Sequence, residues 1–255
     1  MTTTIEPPVG PPLGFPKCQQ CTYLRNGPPG LCLACAGRSF EVIASHACPV
    51  CSQIMENGEC PNWLCTDPDR RIARVRAIAY SSGQLRTTIH RYKYKGKAGW
   101  SLVFGRLLVA WLDRNARHEV PDLIIANPTY VGEGGASFGH TERVLDVAAT
   151  EDVLGEWSFD VADPRALVKV EATPKSAAKG AQGKRTAATE LRSTLHLPKP
   201  ELIEGRRILV YDDVSTTCSQ LNTVAGFLLD EGHAEQVEGI VLARAPWRAR
   251  GRSRQ

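Results

Sequence analysis

Eight of the nine cysteines fall in the first 65 residues, and they fall in pairs: Cys18 and Cys21, Cys32 and Cys35, Cys48 and Cys51, Cys60 and Cys65. Thiolates two residues apart on a tight turn can both reach one metal ion, and two such turns complete a tetrahedral four-sulfur site of the kind structural zinc prefers. Eight ligands make two sites. Sequential use gives one from Cys18, Cys21, Cys32 and Cys35 and a second from Cys48, Cys51, Cys60 and Cys65; an interleaved cross-brace is equally compatible with the spacing. The competing reading is four disulfides in a small secreted domain. Against it stand the odd ninth cysteine, Cys218, far downstream, and a start, MTTTIEPPVGPPLG, without the basic and apolar stretches of a secretory signal. His46 lies beside a ligand pair, but with eight sulfurs available it is expected at the surface. A closed four-cysteine site has no open coordination position, so its expected role is structural.

The cysteine boundary divides the chain. Residues 1–16 carry five prolines and no periodicity, and are expected to be a disordered leader; 17–66 form the double zinc module; 67–245 form the main domain; 246–255 are a basic, disordered tail. No apolar run reaches membrane-spanning length, so no membrane partner is expected, and reduced cysteines point to the cytoplasm. The 31 Lys and Arg exceed the 27 Asp and Glu, but five arginines lie in the last twelve residues. Without them acids exceed bases by one, so the body of the protein is not a globally basic nucleic-acid binder. The tail, by contrast, could attract single- or double-stranded DNA electrostatically.

Within the main domain short apolar runs alternate with helical patterns. Strands are expected at 123–126, 166–170, 208–211 and 237–242, and helices at 100–117, 140–149, the C-terminal end of 179–195, and 221–230. Residues 75–80 and 85–94 read as a hairpin around Ser81-Ser82-Gly83. The alternation Tyr92-Lys93-Tyr94-Lys95 then reads as an edge strand with one aromatic and one cationic face, or as a lip over an acceptor site. Trp100 and Trp111 are expected in the core. The whole pattern predicts an α/β fold with a parallel sheet flanked by helices. The stretch 169–207, with nine basic and four acidic residues, reads as a mobile cationic region.

The chemistry concentrates at Ile208-Leu209-Val210-Tyr211-Asp212-Asp213-Val214-Ser215-Thr216-Thr217-Cys218-Ser219-Gln220. An apolar strand ends in two carboxylates, and small hydroxylic residues lead into a helix. Open α/β sheets bind ligands at the carboxyl ends of their strands. A helix N-terminus favours phosphate, and carboxylates beside it suit sugar hydroxyls or Mg2+. These features point to a phosphorylated sugar. The plainer alternative is a helix cap supplied by Ser215 or Thr216.

This stretch resembles the signature of type I phosphoribosyltransferases that binds phosphoribosyl pyrophosphate (PRPP). Together with the cysteine pairs it resembles the ComF-type, competence-associated members of that family, which carry an N-terminal zinc module of zinc-ribbon-like kind. Two further segments are similar to that family: 78–96, ending in Lys93-Tyr94-Lys95-Gly96, and 125–148, where the family has its pyrophosphate loop. The resemblance runs from Cys18 to about Ala245. It implies that Asp212 and Asp213 are the catalytic acids holding the ribose hydroxyls. It further implies that Ser215, Thr216, Thr217, Cys218, Ser219 and Gln220 wrap the 5′-phosphate. Pro128, Thr129 and Tyr130 would lie at the pyrophosphate, with Gly132, Gly134 and Gly135 giving flexibility, and Lys184 and Arg185 would belong to a mobile basic loop. PRPP with Mg2+ is the implied ligand, and two structural zinc ions the implied metals. The implied reaction transfers the phosphoribosyl group with release of pyrophosphate. A non-catalytic PRPP- or nucleotide-sensing protein acting in DNA uptake or handling is the alternative.

Three departures bear on this. Cys218 stands at a family glycine, Gln220 at a family threonine, and Ser137-Phe138-Gly139-His140 lacks the family's arginine. Each is expected to weaken phosphate or pyrophosphate binding. Cys218, at a helix N-terminus, could also be a thiol of lowered pKa or a passive small side chain.

Overall fold

The computed structural model describes residues 40–173 and 181–246, without the side chains of Gln84 and 181–186. Cys18, Cys21, Cys32 and Cys35, the leader and the tail beyond residue 246 lie outside the described residues. Four strands, β1 (Val75–Tyr80), β2 (Leu123–Ala126), β5 (Arg207–Ser215) and β6 (Gln236–Arg244), form one sheet in the order β1-β6-β5-β2, with every neighbouring pair parallel. The expected parallel α/β architecture is therefore present. Between the strands run α1 (Gly83–Tyr94), α2 (Trp100–Asn115), α3 (His140–Glu151), α4 (Ala181–Ser193) and α5 (Ser219–Asp230). A two-residue antiparallel pair, β3 (Val168–Lys169) with β4 (Leu195–His196), stands apart. The strand expected over 166–170 is thus much shorter and does not join the main sheet. Among the described residues no helix is long and apolar enough to cross a membrane.

Because side chains alternate along a strand, β5 feeds both cores. Leu209 and Tyr211 join the core under α1, α2 and α3, while Ile208 and Val210 join the opposite core with α5 and the cysteine segment. A central strand buried on both faces needs a continuous apolar run, and Ile208–Tyr211 supplies it.

The hairpin expected at 75–94 is not formed. Residues 83–94 are α1. The reason is visible in burial: Leu85, Thr88, Ile89 and Tyr92 are buried, at the i, i+3, i+4, i+7 spacing of a helix face. β1 finds its partner in parallel β6, and a parallel pair cannot be closed by a tight turn. The tyrosine–lysine alternation therefore has a different meaning. Tyr92 is wholly buried, edge-on to Phe104 and Phe138, and its hydroxyl donates to the His140 carbonyl at 2.6 Å. Tyr94 is exposed, and Lys93 turns toward the ends of the strands. Trp100 is in the core, while Trp111 lies at its margin with Arg76 over its ring.

Helices α2 and α3 meet at Gly105. A Cβ placed there would lie 2.5 Å from Val147 Cγ1 and 2.9 Å from the Ala148 amide nitrogen. Gly105→Ala gains about 1 kcal/mol of helix propensity, but forcing the two helices apart costs about 1–3 kcal/mol. The expected outcome is a melting temperature a few degrees below the parent in calorimetry; a rise would show that the helix pair has slack.

Candidate active site

The acidic pair lies inside β5, one step past the end of its neighbour. β2 pairs with β5 only as far as Ala126 opposite Tyr211, and Asp212 and Asp213 follow. The two chains diverge there. β2 continues to α3 on one face of the sheet, whereas β5 continues to α5 on the other. Such a divergence is where doubly wound sheets take ligands. Asn127, next after β2, keeps its amide on the Tyr211 carbonyl at 2.7 Å and donates from Nδ2 to Asp212 Oδ2 at 2.9 Å.

Both carboxylates are buried. The Asp213 amide donates to Asp212 Oδ1 at 2.8 Å. Burial, and then the neighbouring Asp213, push the Asp212 carboxyl up to about 7. Asp213 faces a lysine and a histidine, whereas the sequence pattern puts Lys93 on an edge strand or an acceptor lip and His140 at the start of a helix. Lys93 Nζ lies 3.0 Å from Oδ1 and 2.9 Å from Oδ2, and His140 Nε2 lies 3.4 Å from Oδ2. Burial works against the Lys93 ammonium, but Asp213 outweighs it and holds the lysine above its ordinary pKa. Burial lowers His140, with Asp213 opposing. The helical spacing of 85, 88, 89 and 92 was the signal that could have aimed Lys93 at this site, and the strand reading concealed it.

The loop after β5 turns through Cys218, which takes φ +63° and forms the N-cap of α5. Neither Ser215 nor Thr216 is the cap. A left-handed residue is what a glycine provides without strain, so the backbone geometry expected of the loop persists with cysteine in place. Thr216 and Gln220 are exposed and Thr217 and Ser219 half-buried, with their hydroxyls 2.8 Å apart. Ser215 is buried and donates from Oγ to Cys218 Sγ at 3.2 Å. Cys218 is itself buried, and hydrogen bonding with Cys51, then burial, hold its thiol well above the ordinary range. Its burial fits the passive small side chain of the two readings.

The loop after β2 closes on itself. The Thr129 amide donates to Glu142 Oε1 at 2.6 Å, and Thr141 Oγ1 donates to the Asn127 carbonyl at 2.7 Å. Tyr130 folds under the loop, so close that a Cβ at Gly135 would lie 2.5 Å from the Tyr130 carbonyl oxygen. Pro128 is buried, Thr129 half-buried beside His140, and Glu133 exposed. Lys184 and Arg185 fall within α4, so the backbone there is helical.

Cys48, Cys51, Cys60 and Cys65 come together, their sulfurs all within 4.8 Å of one another. Three separations are 3.6, 3.6 and 3.7 Å. A metal about 2.3 Å from each corner of a regular tetrahedron spaces the sulfurs by about 3.8 Å. The four thiols are free and could hold one zinc ion. For this tetrad the grouping is the sequential one, and the cross-brace is excluded. His46 is exposed, outside the cluster.

No family model matches the chain. Over 211 residues it is 24% identical to the DNA utilization protein YhgH of Escherichia coli O157:H7, an alignment spanning 80% of this chain and 86% of that protein. The YhgH protein of Escherichia coli O6:H1 matches with the same identity and coverage. The chain is thus similar, over most of its length, to proteins named for DNA utilization.

A buried acid with a raised pKa loses stability as pH climbs from its unfolded value, about 3.9, through its folded value. Asp212→Asn removes that penalty, and Asn127, whose Oδ1 is buried without a partner, can turn its amide to accept from the new side chain. Denaturant unfolding of the metal-loaded protein should show the variant gaining on the parent by about 2 kcal/mol between pH 5.5 and 8. A gap that stays constant with pH would remove Asp212 as the titrating group.

Proposed function

We propose that this chain binds PRPP with Mg2+ in the crevice between β2 and β5, and transfers its phosphoribosyl group to a nucleophilic acceptor. The observation that carries this reading is the Asp212–Asp213 pair, buried where β2 ends and followed by the left-handed turn at Cys218 into α5. The ribose hydroxyls of PRPP would donate to the two carboxylates. The 5′-phosphate would lie over residues 215–220, where the turn and the helix N-terminus favour anions. The bond from the anomeric carbon to pyrophosphate breaks as the bond to the acceptor forms, and pyrophosphate leaves with the electron pair. Mg2+ bound with PRPP would offset the charge of the leaving group. Lys93 offers a cation within the site and compensates in part for the arginine missing from 137–140. Asp213 would be released from Lys93 as the sugar binds, and could then accept a proton from the acceptor. The four-cysteine cluster at 48–65 would hold a structural zinc ion. A second zinc at Cys18, Cys21, Cys32 and Cys35 belongs to the same proposal.

A second reading, a PRPP- or nucleotide-binding protein without transferase activity that acts in DNA handling, is favoured by two features. The Thr129 amide is already taken by Glu142 and the Ser215 hydroxyl by Cys218, which leaves fewer donors for anions. The relatives' names point to DNA. The basic tail, 246–255, would be the contact with single- or double-stranded DNA.

Calorimetric titration of Mg2+ and PRPP into the zinc-loaded protein tests the site. Binding is expected, and the Asp212→Asn, Asp213→Asn double variant should weaken it by tenfold or more, about 1.4 kcal/mol. No binding by the parent, or equal binding by the variant, would overturn the assignment. Pyrophosphate release in an acceptor screen separates transferase from sensor.

A further inference from the structure

Arg244 is the last residue of β6 and is wholly buried. By sequence it counts with the terminal arginines, yet it contributes nothing to a tail. A guanidinium without water needs an anion nearby. Among the described residues no carboxylate pairs with it; its Nη2 instead donates to Cys51 Sγ at 3.6 Å. Four thiolates around one divalent metal carry a net double negative charge, so the metal-loaded tetrad supplies what the guanidinium lacks.

The other arm of the same side chain reaches the anion loop. Nη1 donates to the Ser215 carbonyl at 2.9 Å and also to the Thr216 carbonyl. The next carbonyl, of Thr217, accepts from Asn62 Nδ2 at 3.2 Å. Asn62 is buried between Cys60 and Cys65. Cys218, buried in the same cluster as Cys48 and Cys51, accepts from Ser215. Three consecutive loop carbonyls are therefore held by two side chains, one from inside the cysteine turn and one leaning on its thiolate.

We infer that Arg244 and Asn62 are positioning residues through which metal binding at Cys48, Cys51, Cys60 and Cys65 sets the conformation of the loop 215–219, so that metal and phosphate-ligand affinities are coupled. With the carbonyls turned down onto the cysteine module, the loop's amide side is left for an anion. Without the metal, Arg244 loses its counter-charge and the loop its anchor. Coupling of this kind is reciprocal: a ligand that binds more tightly in the presence of metal must tighten the metal by the same factor. The ligand side of this inference rests on the PRPP reading; the loop side does not.

The test uses the full chain. Arg244→Lys keeps the positive charge but loses the fork that joins thiolate to carbonyls, and Asn62→Ala removes the second anchor. Hydrogen exchange of the amides at 214–220 should quicken about tenfold or more on zinc removal, and likewise in each zinc-loaded variant, while β2 and α3 keep their protection. In the cobalt-substituted protein, Arg244→Lys should shift the thiolate charge-transfer bands, because Cys51 loses its hydrogen bond. Unchanged exchange at 214–220 on metal removal, or in both variants with zinc retained, would overturn the coupling, as would bands that do not move. If those readouts respond but PRPP and inorganic phosphate fail to bind, the link from metal to loop stands, and the ligand reading falls together with the coupled affinities. If PRPP binds equally with and without zinc, the coupling falls and the ligand reading stands.

Discussion

A guanidinium sealed from water is among the costlier groups to bury, and Arg244 is sealed completely. Its position at the end of β6 makes it the meeting point of three parts of the molecule. The sheet supplies its backbone, which pairs with Ser215 and accepts from the Ser81 amide. The cysteine segment supplies the sulfur, and the loop before α5 supplies the carbonyls. The cysteine segment is fastened to the sheet on its own account as well. Val75 donates to the Val50 carbonyl at 2.6 Å and Tyr80 to the Glu41 carbonyl at 2.8 Å. The module is thus built onto the edge of the sheet beside β1.

The second organising charge is Asp213. Lys93 and His140 approach it from α1 and α3, two helices packed in the same core. Each helix places its polar residue by burying its neighbours: Tyr92 beside Lys93, and Val144 and Leu145 on the helix that His140 opens. The Tyr92 hydroxyl on the His140 carbonyl links the two directly. The cation facing the acid is consequently set by core packing, which gives it more rigidity than a residue on an irregular loop would have.

Much of this was legible in the sequence, where one local signal was enough. The apolar runs at 123–126 and 208–211 could only be buried strands, and the cysteine spacing drew Cys48, Cys51, Cys60 and Cys65 together. Three features escaped. Residues 85–94 mix two periodicities, and the tyrosine–lysine alternation hid the buried set that a parallel sheet required to be helical. For that reason Lys93 reads as an edge-strand or acceptor-lip residue and not as the partner of Asp213. Arg244 looked like tail charge because its burial depends on a cysteine nearly two hundred residues away, and no local pattern carries such a contact.

Cys218 shows why a departure from a motif need not mean a damaged loop. Its backbone takes the left-handed conformation that costs a non-glycine residue about 1–2 kcal/mol. An isolated turn with that strain would be expected to relax. Here the side chain that causes the strain is also the one that shares a buried cluster with Cys48 and Cys51 and accepts from Ser215, in a position where a glycine would leave a gap. A hydrogen bond and a few packed atoms contribute about the same magnitude as the strain. The cysteine therefore exchanges backbone ease for a hydrogen bond within the loop and packing beside the metal-binding turn. The loop it shapes is held by its neighbours rather than by the preferences of its own residues.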